Sequence, residues 1–162
     1  MDNAFKLVKD AYMNDNLYDL LSGKSSIVVS EYASVPTDSE YLFNGWISFI
    51  ERNEKDKDML WKKFVDVVCR ISNDIDLSWF SIMYLYSFLE YDKQKDISVI
   101  NKQMFIDTLI FNISKYKDKL KMDKRWIGGN MDKNGLWEYF QRRMELLSSK
   151  YQYDFHLKDL NM

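Results

Sequence analysis

Two pairs of closely spaced aspartates are the first places at which this sequence could do acid–base chemistry. Asp56 and Asp58 form one pair, and Asp74 and Asp76 form the other. Two carboxylates with different pKa values can act as the general acid and the general base of a hydrolase. Both pairs, however, lie where a helix is predicted to begin, and aspartate is a preferred residue for capping helix starts. We therefore predict that both pairs are structural.

The other groups that could do chemistry are a single histidine, His156, and a single cysteine, Cys69. One histidine excludes metal sites built from several histidines, and no local pattern marks a nucleophile or an acid as the partner of His156. Cys69 lies beside the apolar stripe of a predicted helix, which favours a packed side chain over a reactive thiol. Gly128-Gly129 lacks the lysine and the spacing of a phosphate-binding loop and is interpreted as a turn. We expect no enzyme activity, no cofactor and no metal ion.

The composition predicts that long, uninterrupted helices hold these residues. The 162 residues include one proline and five glycines, fewer than average usage gives, and few breakers favour helices over a β-rich fold. Apolar residues recur at helical spacing in four segments. The four sets are Leu42, Trp46, Phe49 and Ile50; Leu60, Phe64, Val67, Val68 and Ile71; Met104, Phe105, Leu109 and Ile113; and Trp137, Phe140, Met144 and Leu147.

Breaks between the helices can be placed from turn and capping residues. The first helix is expected over residues 3–21, with a break near 14–16 and Gly23 as its stop. Pro36 and the following Thr37-Asp38-Ser39-Glu40 predict a helix start with a capping box. Residues 25–35 fit either a strand or a helix, so a short hairpin there stays open.

The segment 77–91 is apolar almost all round, which predicts a helix that is surrounded by protein. We expect Asp76 or Ser78 to cap it. Its Tyr84 and Tyr86 hydroxyls must reach the rim of the core or bond to neighbouring helices.

Together these elements predict a mainly α fold. It is a compact bundle of about six helices around the central helix 77–91, in one domain over residues 1–162. Leu60-Trp61-Lys62-Lys63-Phe64 and Leu136-Trp137-Glu138-Tyr139-Phe140 share a pattern, so a stack of HEAT-like helix pairs is the alternative architecture. Residues 1–10 mix charges where a signal peptide would be apolar, and 77–91 is shorter than the roughly 20 residues that span a bilayer. We expect a cytoplasmic protein with no membrane contact.

Acidic and basic side chains are unevenly distributed. The chain has 23 basic and 25 acidic residues, a net charge of −2. Acidic residues outnumber basic ones in residues 1–40, whereas basic residues outnumber acidic ones in residues 115–125, around Tyr116 and Trp126. An acidic face attracts a basic protein, and bases interleaved with aromatics are typical of surfaces that bind single-stranded nucleic acid. A solvated acidic segment without a partner is the third interpretation.

Three features point to a known class of small proteins. They are the acidic first forty residues, the helix start at 36–40, and the sequence Asp74-Ile75-Asp76-Leu77-Ser78-Trp79-Phe80 before the central helix. With its small size, single cysteine and aromatic-rich helices, the chain resembles the immunity proteins of bacterial contact-dependent inhibition and related polymorphic toxin systems. The resemblance is one of size and texture over the whole chain. It implies a protein that binds one toxin tightly and blocks its active site or substrate groove.

The resemblance also implies a basic partner, because many of the cognate toxins are nucleases. The expected function is neutralisation of a cognate toxin domain by stoichiometric binding. A nucleic-acid-associated or regulatory module that uses residues 115–125 is the alternative. From the acidic excess and from the role of aromatic anchors at interfaces, the candidate partner-binding residues are Asp15, Asp19, Glu31, Tyr32, Asp38, Glu40 and Tyr41.

Overall fold

The fold is mainly α, as the sequence predicts. The computed structural model describes residues 3–23, 39–123, 126–127, 130–131 and 135–161. Within these residues there are nine α-helices, of which six have 11 to 16 residues. The helices are α1 (Asn3–Met13), α2 (Leu17–Ser22), α3 (Ser39–Glu51), α4 (Lys57–Ser72), α5 (Ser81–Lys95), α6 (Lys102–Ser114), α7 (Lys117–Met122), α8 (Gly135–Lys150) and α9 (Leu157–Leu160).

The break and the stop that were predicted in the first helical segment are confirmed. α1 ends at Met13 and α2 begins at Leu17. Gly23 follows α2 with φ 80°, and its N–H donates to the Leu20 carbonyl at 3.2 Å. A positive φ of this size is the usual geometry of a glycine that ends a helix.

One ring, Phe64 on α4, lies at the centre of the core. Its centroid is within 6.2 Å of five other rings, which α3, α4 and α5 contribute; they belong to Phe43, Trp46, Trp61, Tyr84 and Phe88. Most of these pairs have the edge-on or tilted geometry that aromatic pairs prefer. α5 also contacts α6 and α8, so the helix predicted to be central does lie between other helices.

The Tyr84 hydroxyl is satisfied inside the core. It donates to the Leu21 carbonyl at 2.6 Å, near the end of α2. A buried hydroxyl without a partner would be destabilising by about 1–3 kcal/mol, so this bond fixes α2 against α5. Tyr86 lies at the rim, with its hydroxyl 3.4 Å from Lys150 Nζ. Both tyrosines therefore have the partners that the sequence requires.

The predicted cap of the central helix is wrong. A 3₁₀ turn, Ser78–Phe80, precedes α5. Leu77 occupies the N-cap position of this turn, and its side chain makes no capping hydrogen bond. Asp76 forms an ion pair with Lys119 instead, and the Ser78 carbonyl accepts the Ser81 hydroxyl at 2.7 Å. The ion pair orients the Asp76 side chain towards α7, and neither Asp76 nor Ser78 makes the predicted capping hydrogen bond.

One predicted core residue of α6 is exposed. Phe105, Leu109 and Ile113 are buried as expected, whereas Met104 is 62% exposed. Successive helix positions are about 100° apart, so Met104 lies to one side of the line through the other three. Thr108 and Phe111 share its outer face.

A small antiparallel hairpin pairs β1 (Trp126–Ile127) with β2 (Asn130–Met131), where the sequence predicts only a turn. The hairpin that stays open near 25–35 and the capping residues Pro36, Thr37 and Asp38 lie outside the described residues. α3 begins at Ser39, within the predicted helix start.

The close contact between α1 and α3 gives a test of the packing. A Cβ added to Gly45 on α3 would lie 2.5 Å from the Ala4 carbonyl oxygen and 2.9 Å from the Ala4 Cβ. Alanine has a helix propensity about 1 kcal/mol better than glycine, but forcing the two backbones apart destabilises by about 1–3 kcal/mol. We expect Gly45→Ala to lower the free energy of unfolding, measured by urea denaturation. Asn44→Ala, at the exposed neighbouring position, is the control and should leave the free energy of unfolding equal or slightly higher. An equal rise in the free energy of unfolding of both variants would contradict the close contact between α1 and α3.

Candidate functional site

Four of the seven predicted partner-binding residues lie within the described residues. Asp15 is in the turn between α1 and α2, with φ 55°, and Asp19 is on α2. Glu40 and Tyr41 are exposed on the first turn of α3. The remaining three lie outside the described residues: Glu31, Tyr32 and Asp38.

The end of α1 presents an apolar side chain among these carboxylates. Met13 is 70% exposed and is followed by the exposed Asn14 and Asp15. Residues 10–23 contain three acidic residues and no basic one, with Asp10 and Asp19 on either side of this turn. The Asn14 amide donates to the Asp10 carbonyl at 2.8 Å, which ends the helix and holds the turn. We call the side chains of Asp10, Met13, Asp15 and Asp19 the acidic turn.

Met13 is a residue that the sequence analysis missed. Phe5, Val8 and Tyr12 mark the inner face of α1, and Met13 is one helical step of about 100° beyond Tyr12. That step turns the methionine towards solvent. An apolar residue at the boundary of the predicted stripe is the signal that could have identified it.

α2, which carries Asp19, contacts the loop that follows α4. Tyr18 on α2 donates its hydroxyl to Asp74 Oδ2 at 3.4 Å, and the Arg70 guanidinium lies 4.5 Å from the Tyr18 ring centroid. Asp74 Oδ1 also accepts the Asp76 N–H at 2.9 Å. Ile75, between these two aspartates, is half exposed. The aspartate pair 74/76 therefore shapes a surface loop.

Three lysines and a tyrosine of the basic segment, residues 115–125, contact residues outside the segment. The Lys115 ammonium donates to Asn73 Oδ1 at 2.5 Å, and Lys119 forms an ion pair with Asp76. The Tyr116 hydroxyl donates to the Asn73 carbonyl at 2.7 Å. The Lys117 ammonium lies 5.3 Å from the Trp137 ring centroid. These contacts occupy lysines and an aromatic ring that a nucleic acid would have to bind. Lys124 and Arg125 lie outside the described residues.

A cluster around His156 is the second group that sequence reasoning missed. His156 Nε2 lies 2.6 Å from Asp107 Oδ1 on α6, although the two residues are 49 positions apart. Nδ1 faces Asp154 at 3.6 Å and Asp159 at 3.9 Å. Gln103 links the same elements, because its amide donates to the Asp154 carbonyl and accepts the Asp154 N–H. The cluster fastens the C-terminal segment to α6.

These contacts shift the protonation of both partners. The hydrogen bond to Asp107, with the nearby charges of Asp154 and Asp159, raises the pKa of His156 above its usual value. Burial alone would raise the pKa of Asp107, but the hydrogen bonds from His156 and Gln103 outweigh it and lower that pKa. The pair is thus held as imidazolium and carboxylate over a wider pH range than isolated groups would be.

Cys69 is a packing residue, as the sequence predicts. Its half-buried side chain packs against the core. Burial, with a smaller contribution from the Asp66 charge, raises the pKa of the thiol to about 11. Thiolate is the reactive form, so this environment suppresses nucleophilic chemistry at neutral pH.

Comparisons with known proteins find no relative. No protein-family model, no curated protein and no solved structure matches this chain significantly. Within the described ranges, no helix has the length and apolarity that crossing a membrane requires. In the same part of the chain, no group of three or more His, Cys, Asp or Glu side chains is arranged to hold a metal ion.

The His156–Asp107 pair predicts a pH dependence of stability with a defined sign. Because the pKa of His156 is raised in the folded state, its contribution is complete below the unfolded value, near 6.5, and is lost as the pH rises through the folded value. For a partly exposed pair we expect a fall of a few tenths to about 1 kcal/mol in unfolding free energy between about pH 5.5 and 8.5. Urea denaturation at both pH values measures it.

The Asp107→Asn variant should show a smaller fall over the same range, because the imidazolium loses its main partner. Asp118→Asn removes an exposed carboxylate on α7 and should keep the full fall. Equal falls in wild type and Asp107→Asn would show that His156 does not depend on Asp107.

Proposed function

We propose that this chain is an immunity protein that binds a cognate bacterial toxin, most simply a basic nuclease, and neutralises it in the cytoplasm by stoichiometric complex formation. The observation that carries the proposal is the acidic turn, in which the exposed Met13 is flanked by Asp10, Asp15 and Asp19. An apolar anchor within a charged rim is the arrangement that concentrates binding energy in protein interfaces. In this account the protein acts by occupying a surface of its partner and not by catalysis.

The charge of the acidic turn suits a nuclease. A nuclease carries basic side chains where it holds the phosphates of its substrate, and those side chains attract carboxylates. The attraction accelerates the encounter of two oppositely charged surfaces, while the methionine supplies contact area that excludes water. Carboxylates that occupy the substrate groove would exclude the nucleic acid.

Aromatic packing against the middle of α3 supports the end of α1, which carries Met13 of the acidic turn. α1 packs along α3, with the Tyr12 ring 5.2 Å from Phe49 and 6.3 Å from Trp46, and the Phe5 ring 6.4 Å from Phe49. Glu40 and Tyr41 therefore belong to the helix on which α1 rests. A surface that is ordered before binding loses less conformational entropy when the complex forms.

The alternative, a nucleic-acid-associated module, draws on residues 115–125. Lys115, Lys117 and Lys119 are the described bases of that segment that already have partners. A titration with single-stranded RNA at several salt concentrations separates the two functions, because phosphate contacts give a steep salt dependence. Tight, salt-sensitive RNA binding that is lost on replacing Lys115 and Lys121 would favour the alternative.

Charge reversal at three of the candidate residues tests the proposed interface. We expect Asp15→Lys/Asp19→Lys/Glu40→Lys to slow association with the toxin domain at least about tenfold at low salt, because the triple change reverses the attraction. The melting temperature should change by no more than a few °C, since Asp15 and Glu40 are exposed, Asp19 is half-buried, and substitutions outside the core have small effects on stability. The partner in this assay is the proposed toxin domain, to be sought as the C-terminal domain of a large secreted protein encoded beside this chain's gene, and association is followed by stopped flow.

The matched control reverses three exposed acidic residues elsewhere, Asp58, Asp118 and Glu145. It changes the net charge equally and should leave association within about threefold of wild type. Cells that produce the toxin and the first triple variant should lose protection, whereas the control should keep it. Full protection by the Asp15/Asp19/Glu40 variant would refute the acidic surface.

A further inference from the structure

The segment that follows α8 is held against α6 and α8 by few contacts. We call residues 151–161 the strap. Two of its side chains, Phe155 and Leu160, are buried, and the other residues are half-buried or exposed. A segment with few buried apolar side chains opens at a lower free energy than the core helices do.

Two glutamines fasten the strap through groups that do not titrate. Gln103 on α6 donates its amide N–H to the Asp154 carbonyl at 2.8 Å, and its amide oxygen accepts the Asp154 N–H at 2.9 Å. Gln141 on α8 donates to the Leu160 carbonyl at 2.6 Å. A carboxamide has no charged form near neutral pH, so these bonds hold the strap equally at every pH in that range.

His156 is a fastening of a different kind, because its charge depends on pH. Nε2 lies 2.6 Å from Asp107 Oδ1 on α6, and Nδ1 lies 3.6 Å from Asp154 and 3.9 Å from Asp159 on the strap itself. One imidazole thus lies among three carboxylates, one of which belongs to α6 and two to the strap. Two lysines are near in the chain: Lys158 is exposed on α9, and Lys102 is paired with Asp92 and Asp96.

Deprotonation of the imidazole changes the sign of the force between the strap and α6. With the ring protonated, the cation attracts Asp107 across the contact. With the ring neutral, Asp154 and Asp159 face Asp107 without that cation, and like charges repel. The lysines keep their charge through this pH range, so they do not reverse the change. The three carboxylates raise the pKa of His156, which extends the attractive state to a higher pH.

We propose that the strap is a pH-sensitive closure: it opens from α6 and α8 while the rest of the fold stays intact, and protonation of His156 holds it closed. Opening exposes Phe155 and Leu160, together with the surface that they cover. The closed state gains most below the usual histidine value near 6.5 and loses this gain as the pH rises through the folded value. Because the pair is partly exposed, we expect the open fraction to rise only about twofold to tenfold.

Hydrogen exchange of the full chain, with and without about 1 M urea, tests the proposal. Relative to their intrinsic rates, the strap amides should exchange at least about tenfold faster than those of α4 and α5. Urea at this concentration should leave strap exchange unchanged, because a local opening exposes little new surface. After correction for intrinsic rates, the open fraction of the strap should rise about twofold to tenfold between about pH 5.5 and 8.5.

Three variants separate the histidine from the other fastenings. His156→Gln removes the titratable ring and should abolish the rise with pH. Gln103→Ala weakens the strap at every pH, so it should increase the open fraction and keep the rise. Lys158→Gln, at an exposed position on the strap, is the matched control and should also keep it.

Three results would overturn the proposal. The first is strap exchange that occurs only through the global unfolding of α4 and α5, with the same urea dependence. The second is an open fraction that does not change with pH. The third is a rise with pH that His156→Gln leaves intact.

Discussion

The burial of Phe64 among five other rings is the constraint on which the rest of the structure depends. The rings come from α3, α4 and α5, so α4 cannot move without disturbing the packing of its neighbours. Protein interiors are packed to crystal-like density, and large aromatic side chains contribute most of the buried area. The Tyr84 hydroxyl extends this order to α2 through the Leu21 carbonyl. The ring contacts around Phe64 thereby determine where the charged ends of the helices reach the surface.

The packing of that core determines which side chains are exposed at the surface. Once the apolar faces of α1 and α2 are committed to α3, α4 and α5, the connection between them must face water, and it carries Met13 and Asp15 outward. The same logic leaves Phe111 and Met104 on the outer face of α6, because Phe105, Leu109 and Ile113 occupy its inner face. The acidic turn has no basic residue within residues 10–23, which suits the basic partner of the proposed function.

Local patterns in the sequence were sufficient to predict the six long helices and most of the core, but not the short helices α7 and α9. The stop at Gly23 and the stripe through Phe64 follow from rules that act within one or two turns. The errors are of longer range: Asp76 pairs with Lys119 on another helix instead of capping its own, and His156 finds Asp107 49 positions away. Periodicity also misplaced Met104, because a residue beside an apolar stripe can belong to either face. The candidate site residues were chosen by acidic charge and aromatic type, and neither criterion shows the exposed Met13.

The most direct measurement of the central claim is the association rate constant of the wild-type chain with the proposed toxin domain, determined over a series of ionic strengths. The account predicts a 1:1 complex that blocks nuclease activity and an association rate that falls steeply as salt screens the carboxylates of the acidic turn. A rate constant that is independent of salt, or the absence of a complex at micromolar concentrations, would contradict it.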